Sequence, residues 1–545
     1  MSVTFAGLDI AEISRLPLKG LDDLLRPHLH GKQRLSEDHP EKALVVRRIL
    51  EDMSARIEVL LDLGLGYLTP ERSTPTLSPG ELQRLRLATQ VRSNLFGVVY
   101  VMDEPSAGLH PADTEALLRA LDRLKSSGNS LFVVEHKLDV VRHADWIVDV
   151  GPGAGEQGGQ ILYSGPLSGL ADVKASRTRP YLFAETVKAV RTPRSPRGWL
   201  KLRGVTRNNL DRLDADIPLG VFTCVTGISG SGKSSLVGQF LVDAVADELG
   251  QRKEVGDDGE ALEASVETLG GEIADGLDGI KRLVVVDQKP IGRTPRSNLA
   301  TYTGLLDHVR KLFAATKQAR ARRYDAGRFS FNVAKGRCET CQGEGFVCVE
   351  LLFLPSVYAP CPTCKGARYN AKTLEIKIRD RSIADVLSMT VDGAFEFFAD
   401  DEALSRTLGV LREVGLGYIG LGQSATELSG GEAQRVKLAT ELQRAQRGGT
   451  LYVLDEPTTG LHPSDVAKLM KQLDGLVEAG STVIVVEHDM AVAAASDWII
   501  DIGPGAGGEG GRIVASGTPE QVAATSRGRT ARYLAACLGS ALDRN

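Results

Sequence analysis

No apolar run in this 545-residue chain approaches the ~20 residues that a membrane-spanning helix needs, which excludes a transporter with fused membrane segments. The N-terminus, Met1-Ser2-Val3-Thr4-Phe5-Ala6, has neither the basic start nor the apolar stretch of a secretory signal, so the expected compartment is the cytoplasm. Cysteine is scarce, with seven residues in all, too few for a disulfide-stapled scaffold of this length. A dominant charge is missing too. A net charge of −5 gives no global attraction to a polyanion, so any nucleic-acid surface has to be a local patch. What remains, 42% hydrophobic and 25% charged, is the composition of an ordinary globular protein of two or three domains.

One further scarcity is more informative. The chain has a single phosphate-binding loop, Gly227-Ile228-Ser229-Gly230-Ser231-Gly232-Lys233-Ser234, and no G-x-x-x-x-G-K-[ST] lies in residues 1–226. Yet the other parts of an ABC-type ATPase occur twice. Signatures are found at Leu77-Ser78-Pro79-Gly80-Glu81 and Leu428-Ser429-Gly430-Gly431-Glu432, carboxylate pairs at Asp103-Glu104 and Asp455-Glu456, and Glu-His pairs at Glu135-His136 and Glu487-His488. Gly64-Leu65-Gly66-Tyr67 returns 351 positions later as Gly415-Leu416-Gly417-Tyr418, and from Asp103 onward the offset is 352. Such a long unit occurring only twice is a duplicated domain, since a solenoid needs at least three shorter repeats.

The phosphate loop sits in the right context. Residues 222–226 read as a short buried strand and residues 235–241 as the helix behind the loop. Gly227, Gly230 and Gly232 let backbone N–H groups and the helix N-terminus turn toward phosphates, with Ser235 in the first turn. Lys233 is expected to reach the β- and γ-phosphates, and Ser234 to take a place on Mg²⁺. The apolar run 450–454 reads as a buried parallel strand that delivers Asp455 and Glu456 to the carboxyl edge of a sheet. There Asp455 orients Mg²⁺ and Glu456 polarises the attacking water. The run 481–486 places His488 near the γ-phosphate, and 283–287 places Gln288 as the sensor glutamine. In an ABC pair Lys233 faces Ser78 and Gly80 of the other signature. Pro79 removes one N–H donor there, while its fixed φ suits a first helical turn.

Between Gln288 and the second signature, Cys338, Cys341, Cys361 and Cys364 form C-x₂-C-x₁₉-C-x₂-C, within the range of zinc sites. Four thiolates close a tetrahedral, structural site. Gly343 and Gly366 follow the two pairs as knuckle glycines. Cys348, on the apolar run 346–353, is expected to be packed, as are Cys224 and Cys537. Just ahead of the knuckle, Arg293 to Arg337 carries eleven Lys or Arg against Asp307 and Asp325. Arg293, Arg296, Arg320, Arg322, Arg323, Arg328, Lys335 and Arg337 are the candidate DNA contacts, interleaved with Tyr302, Phe313, Tyr324, Phe329 and Phe331. The alternative is a solvated helix face over packed aromatics. Residues 248–278 carry ten acidic groups and read as a solvated insertion.

The strings Asp287-Gln288-Lys289-Pro290-Ile291-Gly292-Arg293-Thr294-Pro295-Arg296, Gly327-Arg328-Phe329-Ser330-Phe331-Asn332 and Gly336-Arg337-Cys338-Glu339-Thr340-Cys341-Gln342-Gly343 closely resemble UvrA, the damage-recognition ATPase of bacterial nucleotide excision repair. The resemblance implies an α/β fold of two head-to-tail ABC modules, the first incomplete, with an inserted zinc module. It implies ATP, Mg²⁺ and Zn²⁺ as cofactors, homodimerisation, binding of double-stranded DNA with lesions, and handover to the helicase UvrB. Nuclease activity would lie in another subunit. The family's first phosphate loop, UvrB-binding domain and first zinc module are not in these residues, so a UvrA-like resistance or accessory ATPase that does not recruit UvrB is the alternative. An ABC protein acting on ribosomes or a transporter is disfavoured by the basic, cysteine-bearing insertion. The expected division is 1–175 for the rear part of the first module, 176–198 for a linker and 199–290 for the phosphate-loop part of the second. The zinc-binding insertion then takes 291–400, and the signature part of the second module 401–545.

Overall fold

The computed structural model describes residues 3–29, 40–77, 79–92, 96–153, 155, 158–183, 192–251, 270–292, 294–351, 354–444 and 448–542. In the first half, β1 (Val99–Asp103) and β2 (Ser130–Val134) pair in parallel, and β3 (Ile147–Gly151) and β4 (Gln160–Gly165) pair antiparallel. The second half opens with β5 (Gly198–Arg207), β6 (Leu210–Leu219) and β7 (Phe222–Thr226), followed by β8 (Gly270–Asp275) and β9 (Arg282–Val286). The insertion adds the ribbon β10 (Phe346–Leu351)–β11 (Leu354–Pro360) and the short hairpin β12 (Lys377–Ile378)–β13 (Arg381–Ser382). Then come β14 (Thr450–Asp455), β15 (Thr482–Val486), β16 (Trp498–Gly503) and β17 (Arg512–Gly517).

The central sheet runs β17-β16-β7-β15-β14-β9, parallel except for β17, with β6-β5-β8 as a separate antiparallel sheet. Continuous apolar runs are what a parallel strand covered on both faces requires. β7 and β15 are buried at every position, and β14 until Asp455 emerges at its carboxyl end. The strands expected at 222–226, 283–287, 450–454 and 481–486 are therefore β7, β9, β14 and β15. The acidic segment differs from expectation at its end. Residues 252–269 lie outside the described residues, but 270–275 form β8, paired with β5. It is an edge strand of the β6-β5-β8 sheet, with no fully buried residue, and a charge count does not reveal it.

One difference between the two halves bears on the site. In the second half β7 lies between β15 and β16, and the face of the sheet carrying Leu451, Val453, Ile484, Val486, Ile500 and Ile502 is buried beneath β5, β6 and the helix behind the phosphate loop. Among the described residues the first half has no strand between β2 and β3. The counterparts Val99, Val101, Phe132, Val134, Val148 and Val150 are exposed, Val101 at 75% against 2% for Val453.

The insertion and the second signature share one core. Phe313, Phe329 and Phe331 are fully buried with Leu299, Val309, Ile383 and Leu408, and the cluster continues to Val436 and Ala439 on the signature helix Gly430–Arg444. These three phenylalanines are thus packing residues, the solvated-face alternative for that stretch. Cys224 is buried as expected and Cys537 partly so, but Cys348 is exposed. It sits on a two-stranded ribbon whose Val349 and Tyr358 are exposed as well, so an apolar run here does not mean a covered strand.

Candidate functional site

β7 ends at Thr226 and the chain turns through Gly227 (φ +139°), Gly230 (φ +73°) and Gly232 (φ +112°), backbone angles that side chains other than glycine rarely adopt. Lys233 is buried and folds back on its own loop, donating to the carbonyls of Gly227 at 2.9 Å and Ile228 at 2.8 Å. Ser234 is exposed at the head of the following helix, whereas the Ser235 hydroxyl accepts from Asn208 Nδ2 at 3.0 Å. The buried hydroxyls of Ser231 and Thr226 find no partner among the described residues. Unmet polar atoms inside a glycine-rich loop ahead of a helix suit a phosphate ligand.

Across the loop stand the carboxylates. Burial above all pushes Asp455 up to about 6, with the neighbouring Glu456 adding to it. Burial also raises Glu456, against the pull of Lys233. Two acids held close in a dry site are the hard oxygen donors that Mg²⁺ takes. His488 Nε2 lies 3.5 Å from Glu456 Oε1, and burial next to Lys233 keeps the imidazole neutral. Glu487 points away from the cleft and accepts the Thr458 and His488 N–H groups at 2.9 and 2.8 Å, bracing the loop. Gln288 Nε2 donates to the Glu456 carbonyl at 3.2 Å. The structure thus gathers Lys233, Asp455, Glu456, His488 and Gln288 around one cleft.

The first half closes that cleft. The Ser229 N–H donates to Asp113 Oδ2 at 3.0 Å, and Tyr67 packs on Gly230 so tightly that a Cβ there would lie 2.6 Å from its ring. Gly108, with φ +63°, faces the Glu456 carboxylate, and a Cβ on it would lie 2.6 Å from Glu456 Oε2. The reverse contact exists too, with Gly460 facing Glu104, and His136 Nε2 lies 3.6 Å from Glu104 Oε1. Ser78 lies outside the described residues. The helix Pro79–Arg92 begins at the proline, and Gly80 rests against the Ala107 carbonyl. Asp113 and Gly108 were not singled out from sequence, although both lie in the repeat at the same 352-residue offset as Asp465 and Gly460.

In the insertion the sulfurs of Cys338, Cys341, Cys361 and Cys364 all lie within 4.8 Å of one another. A tetrahedral zinc with bonds of about 2.3 Å needs sulfur separations of about 3.8 Å, so the set fits. Gly343 has φ +91°, and the Gly345 N–H donates to Cys341 Sγ at 3.3 Å, as a knuckle requires. Backbone donors from Cys364 and Thr363 pull Cys361 down to about 7, whereas burial raises Cys341 and pushes Cys364 up to about 12, so thiolate character gathers on Cys361. Beside the knuckle, buried Arg368 donates to the carbonyls of Pro295 at 2.8 Å and Gly422 at 3.2 Å, tying it to the segment ahead of the signature.

The basic residues divide. Arg320, Arg323 and Lys335 are exposed. Arg322 is ion-paired to Glu375 at 2.5 Å and Arg296 to Glu344 at 3.3 Å. Arg328 lies over the Tyr324 ring and bonds Thr373 and Asn370, and Arg337 is half-buried. Arg293 lies outside the described residues.

No protein-family model matches the chain. It is 49% identical over 543 residues to UvrABC system protein A of Streptomyces coelicolor, covering 99% of this chain and 52% of that protein. With the Thermus thermophilus protein of the same name it shares 51% over 530 residues, covering 96% and 54%. With that of Paucimonas lemoignei it shares 69% over 385 residues, covering 69% and 56%. The chain thus spans about half the length of the curated relatives it matches. The crystal structure of UvrA2 from Deinococcus radiodurans superposes with a TM-score of 0.92 at 64% identity, covering 98% of this chain and 64% of that one. An α/β fold of ABC type accompanies that identity along nearly the whole chain: it belongs to the UvrA family.

Proposed function

We propose that this chain is the ATP-hydrolysing, DNA-binding part of a UvrA-type damage-recognition protein, with one complete nucleotide site. The observation that carries the reading is the composite cleft. Lys233, Asp455, Glu456 and His488 come from the second module, and the first module seals it with Asp113 on Ser229 and Gly108 on Glu456. In this reading Lys233 exchanges its loop carbonyls for the β- and γ-phosphates, and Ser234 and Asp455 hold Mg²⁺. Glu456 orients the attacking water while neutral His488 contacts the γ-phosphate and Gln288 links the cleft to the insertion. Mg²⁺ supplies charge neutralisation between the phosphates. Gly227, Gly230, Gly232, Ser235 and Gly80 shape the cleft; Ser78, the remaining expected contact, lies outside the described residues.

The cysteine knuckle is proposed as a structural zinc site, and exposed Arg320, Arg323 and Lys335 as phosphate contacts to double-stranded DNA. Homodimerisation, a place in the UvrABC system and a cytoplasmic setting follow the relatives' assignment, whereas the usual UvrB-binding domain is not among these residues; among the described residues no helix is long and apolar enough to cross a membrane. In the same reading the chain divides at 175, 198, 290 and 400, with the insertion and the signature part packed on one core. ATP turnover with and without damaged duplex DNA is the test. Lys233→Ala should abolish nucleotide binding, and Glu456→Gln should keep binding while stopping hydrolysis. Wild-type turnover in Lys233→Ala would overturn the assignment.

A further inference from the structure

The loop that carries Gly108 ends in His110, a residue given no role above, whose ring meets that of His488 edge-on with centroids 6.2 Å apart. His110 is fully buried and its Nδ1 accepts the Ala112 N–H at 3.2 Å, capping the helix Pro111–Ser126. That bond leaves the proton on Nε2, which donates to Thr530 Oγ1 at 3.2 Å. Thr530 in turn donates to Asp501 Oδ1 at 2.6 Å. All three are buried, and they cross from the first half to the second. Asp501 is on β16 opposite Thr226, the last residue before the phosphate loop. Burial beside His488 and Lys233 keeps His110 neutral, as this tautomer requires.

The arrangement is built twice. His462 accepts the Ser464 N–H at Nδ1 and meets Thr178 Oγ1 at 3.2 Å through Nε2, and Thr178 donates to Asp149 at 3.1 Å. Each residue of this second relay stands 352 positions from its partner in the first, and each relay crosses the boundary in the opposite direction. A helix cap alone needs only Nδ1, and neither the threonine nor the aspartate. The repeated cross-module triad calls for another account.

We propose that His110 is a positioning residue of the composite ATP site. Through Thr530 and Asp501 it fastens the loop carrying Gly108 to the strand beside the phosphate loop, and so holds Glu456 in its working position. The inference rests on the ATPase reading, deepening it with a cross-module tether. Its effect falls on the chemical step, because Lys233 and the phosphate loop are untouched.

The test uses the full chain. His110→Asn keeps an acceptor for the helix cap but is too short to reach Thr530, and Thr530→Val removes only the hydroxyl. Each should lower kcat about two- to tenfold, the worth of one hydrogen bond, with ATP affinity changed less than about twofold. Thr530→Ser should restore the rate. Thr178→Val, in the twin relay, should cost the rate less. Amide exchange at residues 104–109, read without nucleotide, should quicken in His110→Asn and Thr530→Val. Unchanged kcat in Thr530→Val, an equal loss in Thr178→Val, or no recovery in Thr530→Ser overturns the tether. A parent chain without turnover overturns the ATPase reading instead, and amide exchange then decides the tether alone, unchanged exchange refuting it.

Discussion

Gly108→Ala isolates the contact between the two halves. The added Cβ would lie 2.6 Å from Glu456 Oε2, where ordinary contact needs about 3.4 Å, so the carboxylate has to retreat by most of an ångström. Alanine also has to occupy φ +63°, at a cost of about 1–2 kcal/mol. The loop therefore shifts, the glutamate shifts, or both do. A misplacement of that size at a reacting centre lowers the rate by about 10- to 100-fold, equivalent to about 1.4–2.7 kcal/mol of barrier. Binding should survive, since Lys233 and the glycines that cradle phosphate are not touched, and ATP affinity should stay within about threefold. Steady-state phosphate release gives kcat, and equilibrium titration with a fluorescent ATP analogue gives affinity. The mirror variant Gly460→Ala brings its Cβ only to 3.1 Å from Glu104, in the half without a phosphate loop, and should cost the rate much less. Full turnover in Gly108→Ala, or equal losses in both variants, would refute Glu456 as the working carboxylate.

Asp501 gives a pH signature. Burial pushes it up to about 6, above the unfolded value of about 3.9, so the folded chain holds this proton more tightly and loses stability as pH rises between those values. Asp501→Asn, which keeps an acceptor for Thr530, should raise the thermal midpoint above pH 6, by up to about 3 kcal/mol of stability, with the gain vanishing below pH 4; a gain independent of pH would count against this. Metal analysis should find roughly one zinc per chain, and Cys361→Ser should loosen residues 336–369 in amide exchange while leaving ATP turnover of the core in place. Arg320→Glu with Arg323→Glu should flatten the salt dependence of DNA binding by about two in log–log slope, whereas Arg328→Ala should mainly destabilise the insertion; an unchanged slope would move the DNA surface elsewhere.

The strands that carry the proposed ATP site were legible because a buried parallel strand is written as an unbroken apolar run, and because a phosphate loop fixes both spacing and residue type. The cysteine knuckle was legible for a similar reason, since four ligands at set intervals admit few other uses. Composition failed where burial depends on partners far away in the chain. Phe313, Phe329 and Phe331 stand among arginines, yet they are core, because the segment from Leu299 to Leu421 folds back on the signature helix. Cys348 lies on an apolar run and is exposed, because only one strand covers it. The same limit hid the composite site. Gly108 and His110 look like a loop glycine and a helix cap until the two halves are set face to face. The internal repeat, however, did hold the clue. A histidine, a threonine and an aspartate recurring together at one offset, distant from one another in each copy, point to a contact that both copies keep.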